Sequence, residues 1–256
     1  MVRGDGFTFT AITSSCPAGA LSAPLVGSGN RSQGEQGGFS VFISRVGSLN
    51  SGPKRILNAG CGPTAAKRIA PLLASQAWEE LRLDVDTDVN PDVVGSVTEL
   101  TSIFPPSSFD AIWCSHVMEH LYAHEVYPTL LQFRQILKPG GFALVLCPDL
   151  ESVAEHLLKH GLASVAYVSS AGPIRPLDMI YGHSGAIQEG RTYMAHRTGF
   201  TTERLGNLML EAGFPVVNVR SENFEVCALA LMDQDGTDEI QDELAASGFD
   251  FREEVS

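Results

Sequence analysis

Apolar runs of strand length alternate with longer amphipathic segments from Arg55 onward, and this alternation predicts a parallel sheet covered by helices. Strands are expected at 55–59, about 80–85, near 92–95, over Phe109 to Cys114 and over Gly141 to Cys147. Helices are expected over about 64–75 and 124–137, and Thr98 to Ile103 forms a separate short segment. Pro105, Pro106 and the KPGG turn at 138–141 punctuate the series. After Pro148 and Asp149 a helix carries Val153 to Lys159, and Thr201 to Ala212 again has helical spacing, with Thr201 or Thr202 as cap and Gly213 as stop. Val216 to Arg220 and Phe224 to Met232 read as a terminal pair of strands.

The remaining segments lack this periodicity. Residues 1–50 are rich in Gly, Ser and Thr and hold brief apolar pieces such as Phe39 to Val46, which predicts an N-terminal extension of low order with one short strand or helix. Its Arg31, Phe39 and Phe42 are candidates to cover a substrate, against the plainer reading of a solvated arm. The main domain then spans 51–232, and Gly, Ser and Pro accumulate at about 160–199, the composition of a lid or acceptor-binding insertion. The tail, 233–256, carries nine acids against one Arg and is expected to be solvated.

Composition narrows the function classes. A chain of 256 residues with 44% apolar content can bury a full core, and its length fits one domain with additions. The formal charge of −13 disfavours nucleic acid and anionic lipid as partners. No apolar run approaches the roughly 20 residues of a membrane span, so no membrane partner is expected. Cys16, Cys61, Cys114, Cys147 and Cys227 are scattered and never in CxxC spacing, which suggests a reducing compartment. With no basic segment leading into a long apolar core, the expected location is cytoplasmic. The sequence leaves the oligomeric state open.

Candidate chemistry begins at RILNAGCGPT, Arg55 to Thr64, where an apolar run ends in Gly60, Cys61 and Gly62. Glycine lets backbone turn sharply and lie against a ligand, and Asn58 places an amide just before the turn. Some twenty residues on, the second strand ends in Leu83, Asp84, Val85 and Asp86. A carboxylate at the end of a neighbouring strand can accept hydrogen bonds from two vicinal ribose hydroxyls. Asp84 suits that role, because Asp86 already belongs to the turn. The loop lacks the third glycine of GxGxxG, which argues against a dinucleotide oxidoreductase.

Four pieces in order, ILNAGCG, LDVD, FDAIWCSHVMEHL and LKPGG leading into FALVLCPD, resemble the Rossmann-like S-adenosylmethionine-dependent methyltransferases, in particular the methyltransferase type 11 group. The resemblance covers about residues 54–150. It implies a doubly wound sheet, mostly parallel with an antiparallel terminal strand, and methyl transfer from S-adenosylmethionine, with S-adenosylhomocysteine as product, to a small-molecule acceptor. On the same resemblance, Asn58, Ala59, Gly60, Cys61 and Gly62 contact the methionyl part of the cofactor and Asp84 the ribose. Val85 then flanks the adenine, Ser96 and Val97 lie at its amino group, and Ser115 and His116 face the sulfonium and the acceptor. Asn58 departs from the usual acid, Pro63 and Thr64 from the last glycine, and Ser96 from an acid. These departures keep a catalytically inactive binding domain as an alternative.

The HVMEH segment, His116 to His120, matches the inverted zinc-peptidase pattern HxxEH, but its place after a parallel strand of a doubly wound domain argues against a peptidase. It also resembles a segment with which some O-methyltransferases hold a divalent ion near the acceptor hydroxyl. That likeness makes His116, Glu119 and His120, completed by His183 or His196, a candidate metal set and a metal-assisted O-methyltransferase a further alternative. Otherwise Glu119 and His120 orient the turn, and no metal ligand is assigned. The acceptor side falls on the insertion, with Tyr181, His183, Arg191, Tyr193, His196 and Arg197. His196 and His116 are the candidate catalytic residues.

Overall fold

The computed structural model describes residues 7–10, 53–63, 78–169, 172–234 and 237–252. The helix expected at 64–75, the apolar piece Phe39 to Val46, and Arg31 lie outside the described residues.

Eight strands form one sheet in the order β1-β9-β10-β6-β5-β2-β3-β4. They are β1 (Phe7–Thr10), β2 (Lys54–Ala59), β3 (Trp78–Asp84), β4 (Val93–Val94), β5 (Phe109–Ser115), β6 (Leu137–Pro148), β9 (Val216–Glu222) and β10 (Glu225–Leu231). The pairs from β4 to β6 are parallel, whereas β6 with β10, β10 with β9 and β9 with β1 are antiparallel. The α/β class, the parallel centre and the antiparallel terminal strands all follow the sequence expectation. The sequence pattern did not locate the edge strand β1. It sits in a Gly- and Thr-rich stretch and is specified by backbone pairing of Phe7 with Val219 through Thr10 with Val216.

The central strands read as near-continuous apolar runs because both faces of the sheet are covered. Alternate residues serve the two sides. Leu57, Ile112, Cys114, Val145 and Cys147 face one core together with Val126, Leu130 and Phe133 of the Ala123–Ile136 helix and Leu205 and Met209 of the Thr202–Glu211 helix. The helical spacing of those residues puts each set on a single face. Thr201 caps the second helix by accepting from the Arg204 backbone N–H at 3.2 Å, as the sequence predicts.

Ile56, Ala111, Trp113, Leu144 and Leu146 face the other side, and what covers them corrects the expectation of a solvated tail. A helix over Thr237–Ala246 and the residues after it bury Leu244, Phe249 and Phe251 against this face. Phe249 meets the Trp113 ring edge-on at a centroid distance of 5.4 Å, and Trp78 Nε1 donates to Glu243 Oε1 at 3.2 Å. Asp238, Glu239, Asp242 and Asp250 are exposed on the outer side, so charge count alone hid a sparse apolar stripe.

The insertion also has more regular structure than its composition suggests. It contains a hairpin of β7 (Tyr167–Ser169) and β8 (Gly172–Ile174), then short helices over Pro176–Tyr181 and Ser184–Gln188. No helix among the described residues is long and apolar enough to cross a membrane. Cys61, Cys114, Cys147 and Cys227 are buried and unbridged, behaving as small hydrophobes.

If the tail is part of the core, Phe249→Ala should lower unfolding free energy by about 3 kcal/mol, the usual cost of removing a packed aromatic ring. Urea denaturation will show this as a lower midpoint at unchanged slope, and a shift no larger than that of Glu239→Gln would mean the tail does not stabilise the fold.

Candidate active site

Strand order reverses between β2 and β5, since the sheet continues from β2 to β3 and β4 on one side and from β5 to β6 on the other. In an open parallel sheet the crevice beyond the carboxyl ends at such a point is where ligands bind. Here it widens into a cavity of about 930 Å³, at the upper end of the range for small-molecule sites.

One wall is the glycine loop. The backbone N–H groups of Gly60 and Cys61 both donate to Leu83 O, at 2.8 and 3.0 Å, and that of Gly62 donates to Asp84 Oδ2 at 2.9 Å. Gly60 adopts φ +72° and lies so close to Val117 that a Cβ would fall 2.2 Å from its Cγ2. At Gly62, with φ +56°, a Cβ would meet no protein atom within 4 Å, so the loop offers bare backbone to the cavity there. Arg82 ties the loop to the next turn, donating to Gly62 O at 2.8 Å and to Val89 O at 3.1 Å.

Asp84 lies at the centre of this wall. Its second oxygen accepts from the Asp86 N–H at 2.9 Å, so each carboxylate oxygen holds one backbone donor and keeps capacity for another. Val85, half exposed, and Ser96 with buried Val97 continue the lining. Ser96 accepts from the Thr98 N–H at 3.2 Å and thereby caps the turn that presents Val97. Asn58 and Ala59 do not line the cavity. Both are buried within β2, where Asn58 Nδ2 donates to Glu80 Oε1 at 2.7 Å. The amide is therefore a strand-to-strand tie, a pairing with no signal in the linear sequence. Burial pushes the Cys61 thiol up to about 11, so the loop cysteine stays protonated.

The opposite wall starts at Ser115 and His116. His116 has φ +56°, and this left-handed turn directs its ring between two carboxylates. Its Nδ1 lies 3.2 Å from Glu119 Oε1 and its Nε2 lies 2.5 Å from Glu225 Oε1. Burial alone would lower the imidazole's pKa, but the hydrogen bonds and charges of Glu119 and Glu225 outweigh it and raise it to about 10. With a carboxylate at each ring nitrogen, His116 has no lone pair to offer an acceptor. Glu225 is 109 residues away in sequence, and nothing local marked it.

Glu119 is 1% exposed. Burial pushes its carboxyl up, but its contact with His116 prevails and holds it below the ordinary range. The segment 195–198 is pinned to this turn, because Arg197 N donates to Glu119 O at 2.8 Å and Arg197 Nη1 to His120 O at 2.8 Å. This sets the His196 ring edge-on to His120, with centroids 4.9 Å apart. Burial lowers the pKa of His196, whose Nδ1 donates to Met179 O at 2.9 Å. His183 lines the cavity too, but its Nδ1 accepts from the Ala186 N–H at 3.2 Å and caps a short helix.

Tyr193 joins the two walls, its hydroxyl donating to Asp86 Oδ2 at 2.6 Å. The bond holds the Asp86 carboxyl low, and burial together with that carboxylate pushes the phenol up to about 12. Tyr193 was read from sequence as part of the acceptor side, whereas its hydroxyl reaches the glycine-loop wall.

Residues 57–145, running from β2 into β6, match the family described as "Methyltransferase domain". Residues 57–145 thus carry a methyltransferase domain. No curated protein matches the chain. Among solved structures, a SAM-dependent methyltransferase from Archaeoglobus fulgidus is similar at 14% identity over 70% of this chain and 86% of its own, with a TM-score of 0.47. The 1,6-didemethyltoxoflavin-N1-methyltransferase of Burkholderia thailandensis is similar at 16% identity over 70% and 71%, with a TM-score of 0.43. The methyltransferase domain's glycine loop, Asp84, Ser96, Val97 and HVMEH turn all fall inside the matched span, whereas Tyr193, His196 and Glu225 lie beyond it.

Because Tyr193 to Asp86 is a side-chain link from the insertion to the β3 end, Tyr193→Phe should leave the melting temperature nearly unchanged. It should speed amide exchange over residues 186–196 about fivefold, as for a solvent-screened hydrogen bond of about 1 kcal/mol. Unchanged exchange there would show that the link does not restrain the insertion.

Proposed function

We propose that this methyltransferase modifies a small-molecule acceptor by direct displacement, with the cofactor on the glycine-loop wall and the acceptor under the insertion. The observation that carries this reading is the division of a single cavity into two chemically different halves. One half presents bare backbone at Gly62 and a carboxylate with spare acceptor capacity at Asp84; the other presents His116, His120 and His196.

The residues fit the cofactor. Gly60, Cys61 and Gly62 would receive its methionyl part, Asp84 would accept from both ribose hydroxyls, and Val85, Ser96 and Val97 would flank the adenine. Bound there, S-adenosylmethionine supplies an already activated methyl group and leaves as S-adenosylhomocysteine. The protein's own contribution is alignment and exclusion of water, so position outweighs acid–base strength. Tyr193 and the short helices of the insertion cover the cavity, and Ser115 holds the end of β5 against it. His116, fixed between two carboxylates, acts as a rigid positive element and not as a base. His196 donates through Nδ1 to Met179 O, so its neutral ring turns the Nε2 lone pair to the acceptor side. Asn58, which departs from the family's acid, lies outside the cavity lining, and this supports a working cofactor site over an inactive one.

Calorimetry with S-adenosylhomocysteine tests the reading. The wild-type protein should bind, Asp84→Ala should bind about 10- to 100-fold more weakly, the loss expected for hydrogen bonds to a charged group, and His196→Ala should keep binding while losing methyl transfer. Absence of binding at millimolar cofactor would contradict the assignment.

A further inference from the structure

The hairpin that joins β9 to β10 turns through two residues, Asn223 and Phe224, between the paired Glu222 and Glu225. Both have positive φ, 51° and 68°, the signs that a type I′ turn requires. Asparagine suits the first of these positions and glycine the second, whereas a bulky side chain at positive φ is strained. A phenylalanine held in this conformation calls for a reason, and strain of this kind gathers at ligand sites.

The second observation is where the ring goes. Phe224 lines the cavity together with Tyr167, Ile174 and Met179. Its ring lies nearly parallel to that of Tyr167, at 23° with centroids 6.1 Å apart, and meets His156 edge-on at 5.3 Å. Backbone bonds hold both elements in place. Asp149 N donates to Phe224 O at 2.9 Å, and Ala166 N donates to Ile174 O at 2.8 Å in the hairpin that carries Tyr167. The next residue, Glu225, grips His116, so one tight turn both supplies an aromatic ring and locks the imidazole of the second wall. The cations of this half are turned elsewhere, Arg191 to Glu189 and Arg197 to His120 O and the face of Tyr122. What the wall offers a ligand is aromatic and aliphatic surface, not a charge.

We propose that Phe224 and Tyr167 form a stacking wall that selects an uncharged, planar aromatic acceptor, with a ring-borne O–H or N–H turned to His196 Nε2. Offset stacking favours a flat π-system over a saturated ring of the same size, and Phe224 is the residue that sets this preference. In the transfer, the ring-borne oxygen or nitrogen gives its proton to His196 Nε2 and bonds to the methyl carbon as the carbon–sulfur bond breaks. The products are the methylated ring, an imidazolium and neutral S-adenosylhomocysteine. The inference names the acceptor class for the methyl transfer proposed above and rests on that reading for its purpose, whereas ring binding itself needs no cofactor.

The test is calorimetric titration of the full chain with 2-naphthol and with its saturated counterpart, decahydro-2-naphthol, each with and without S-adenosylhomocysteine. S-adenosylhomocysteine affinity and thermal melting are measured on the same samples. The wild type should bind 2-naphthol about tenfold more tightly than the saturated alcohol, the gain that two stacking contacts give. Phe224→Leu keeps an apolar side chain without a π face, and Phe224→Gly gives the turn the residue it favours, so the fold is kept in at least one of them. Both should reduce the preference to roughly threefold or less, with one contact left, at unchanged S-adenosylhomocysteine affinity, and Phe224→Tyr should retain it. A wild type that binds S-adenosylhomocysteine but shows no preference for 2-naphthol, or binds neither alcohol, overturns the stacking wall and leaves the methyltransferase reading intact. A preference that survives Phe224→Leu and Phe224→Gly, or variants that weaken both alcohols equally, overturns it as well. A preference lost in those variants without any S-adenosylhomocysteine binding supports the wall and contradicts the proposed cofactor half.

Discussion

Three successive backbone N–H groups, those of Gly60, Cys61 and Gly62, are satisfied by the end of a single neighbouring strand, at Leu83 O and Asp84 Oδ2. The rest of the site depends on this tie. It holds the glycine turn open at the place where strand order reverses, and it fixes Asp84 with one oxygen on each side of its own turn. It also leaves the Gly60 face free for Val117, which brings the HVMEH turn against the loop and sets the width of the crevice.

The second wall follows from a different kind of constraint. The chain must leave β5 through a left-handed residue, and that residue is a histidine whose ring is locked by Glu119 and Glu225. Fixing His116 fixes Glu119, and the Glu119 carbonyl in turn receives Arg197 and Thr198, at 2.8 and 3.3 Å. A short network therefore carries order from the parallel core into the insertion and delivers His196 to the cavity. Positions far apart in the chain become one surface through backbone hydrogen bonds.

The parallel strands and the Ala123–Ile136 helix were legible in the sequence because burial on both faces writes a strong apolar pattern. The glycine turn was legible because few residue types adopt its positive φ, and Asp84 because an acid closing an apolar strand stands out where the chain turns. Pairings across the fold were not. Asn58 with Glu80, Tyr193 with Asp86 and His116 with Glu225 each join polar residues whose separation in sequence carries no periodic signal. The tail was misread for a related reason, since nine acids outvote the few apolar residues, Leu244, Phe249 and Phe251, that decide where it packs.

The central claim is that the crevice between β2 and β5 is built for S-adenosylmethionine, with the acceptor placed beneath the insertion. A crystal structure with S-adenosylhomocysteine tests it most directly. The account predicts ribose hydroxyls on Asp84, the homocysteine arm along Gly60 to Gly62, and the sulfur facing the His116 and His196 side of the cavity. Ligand bound elsewhere, or lying in the crevice with its ribose away from Asp84, would contradict it.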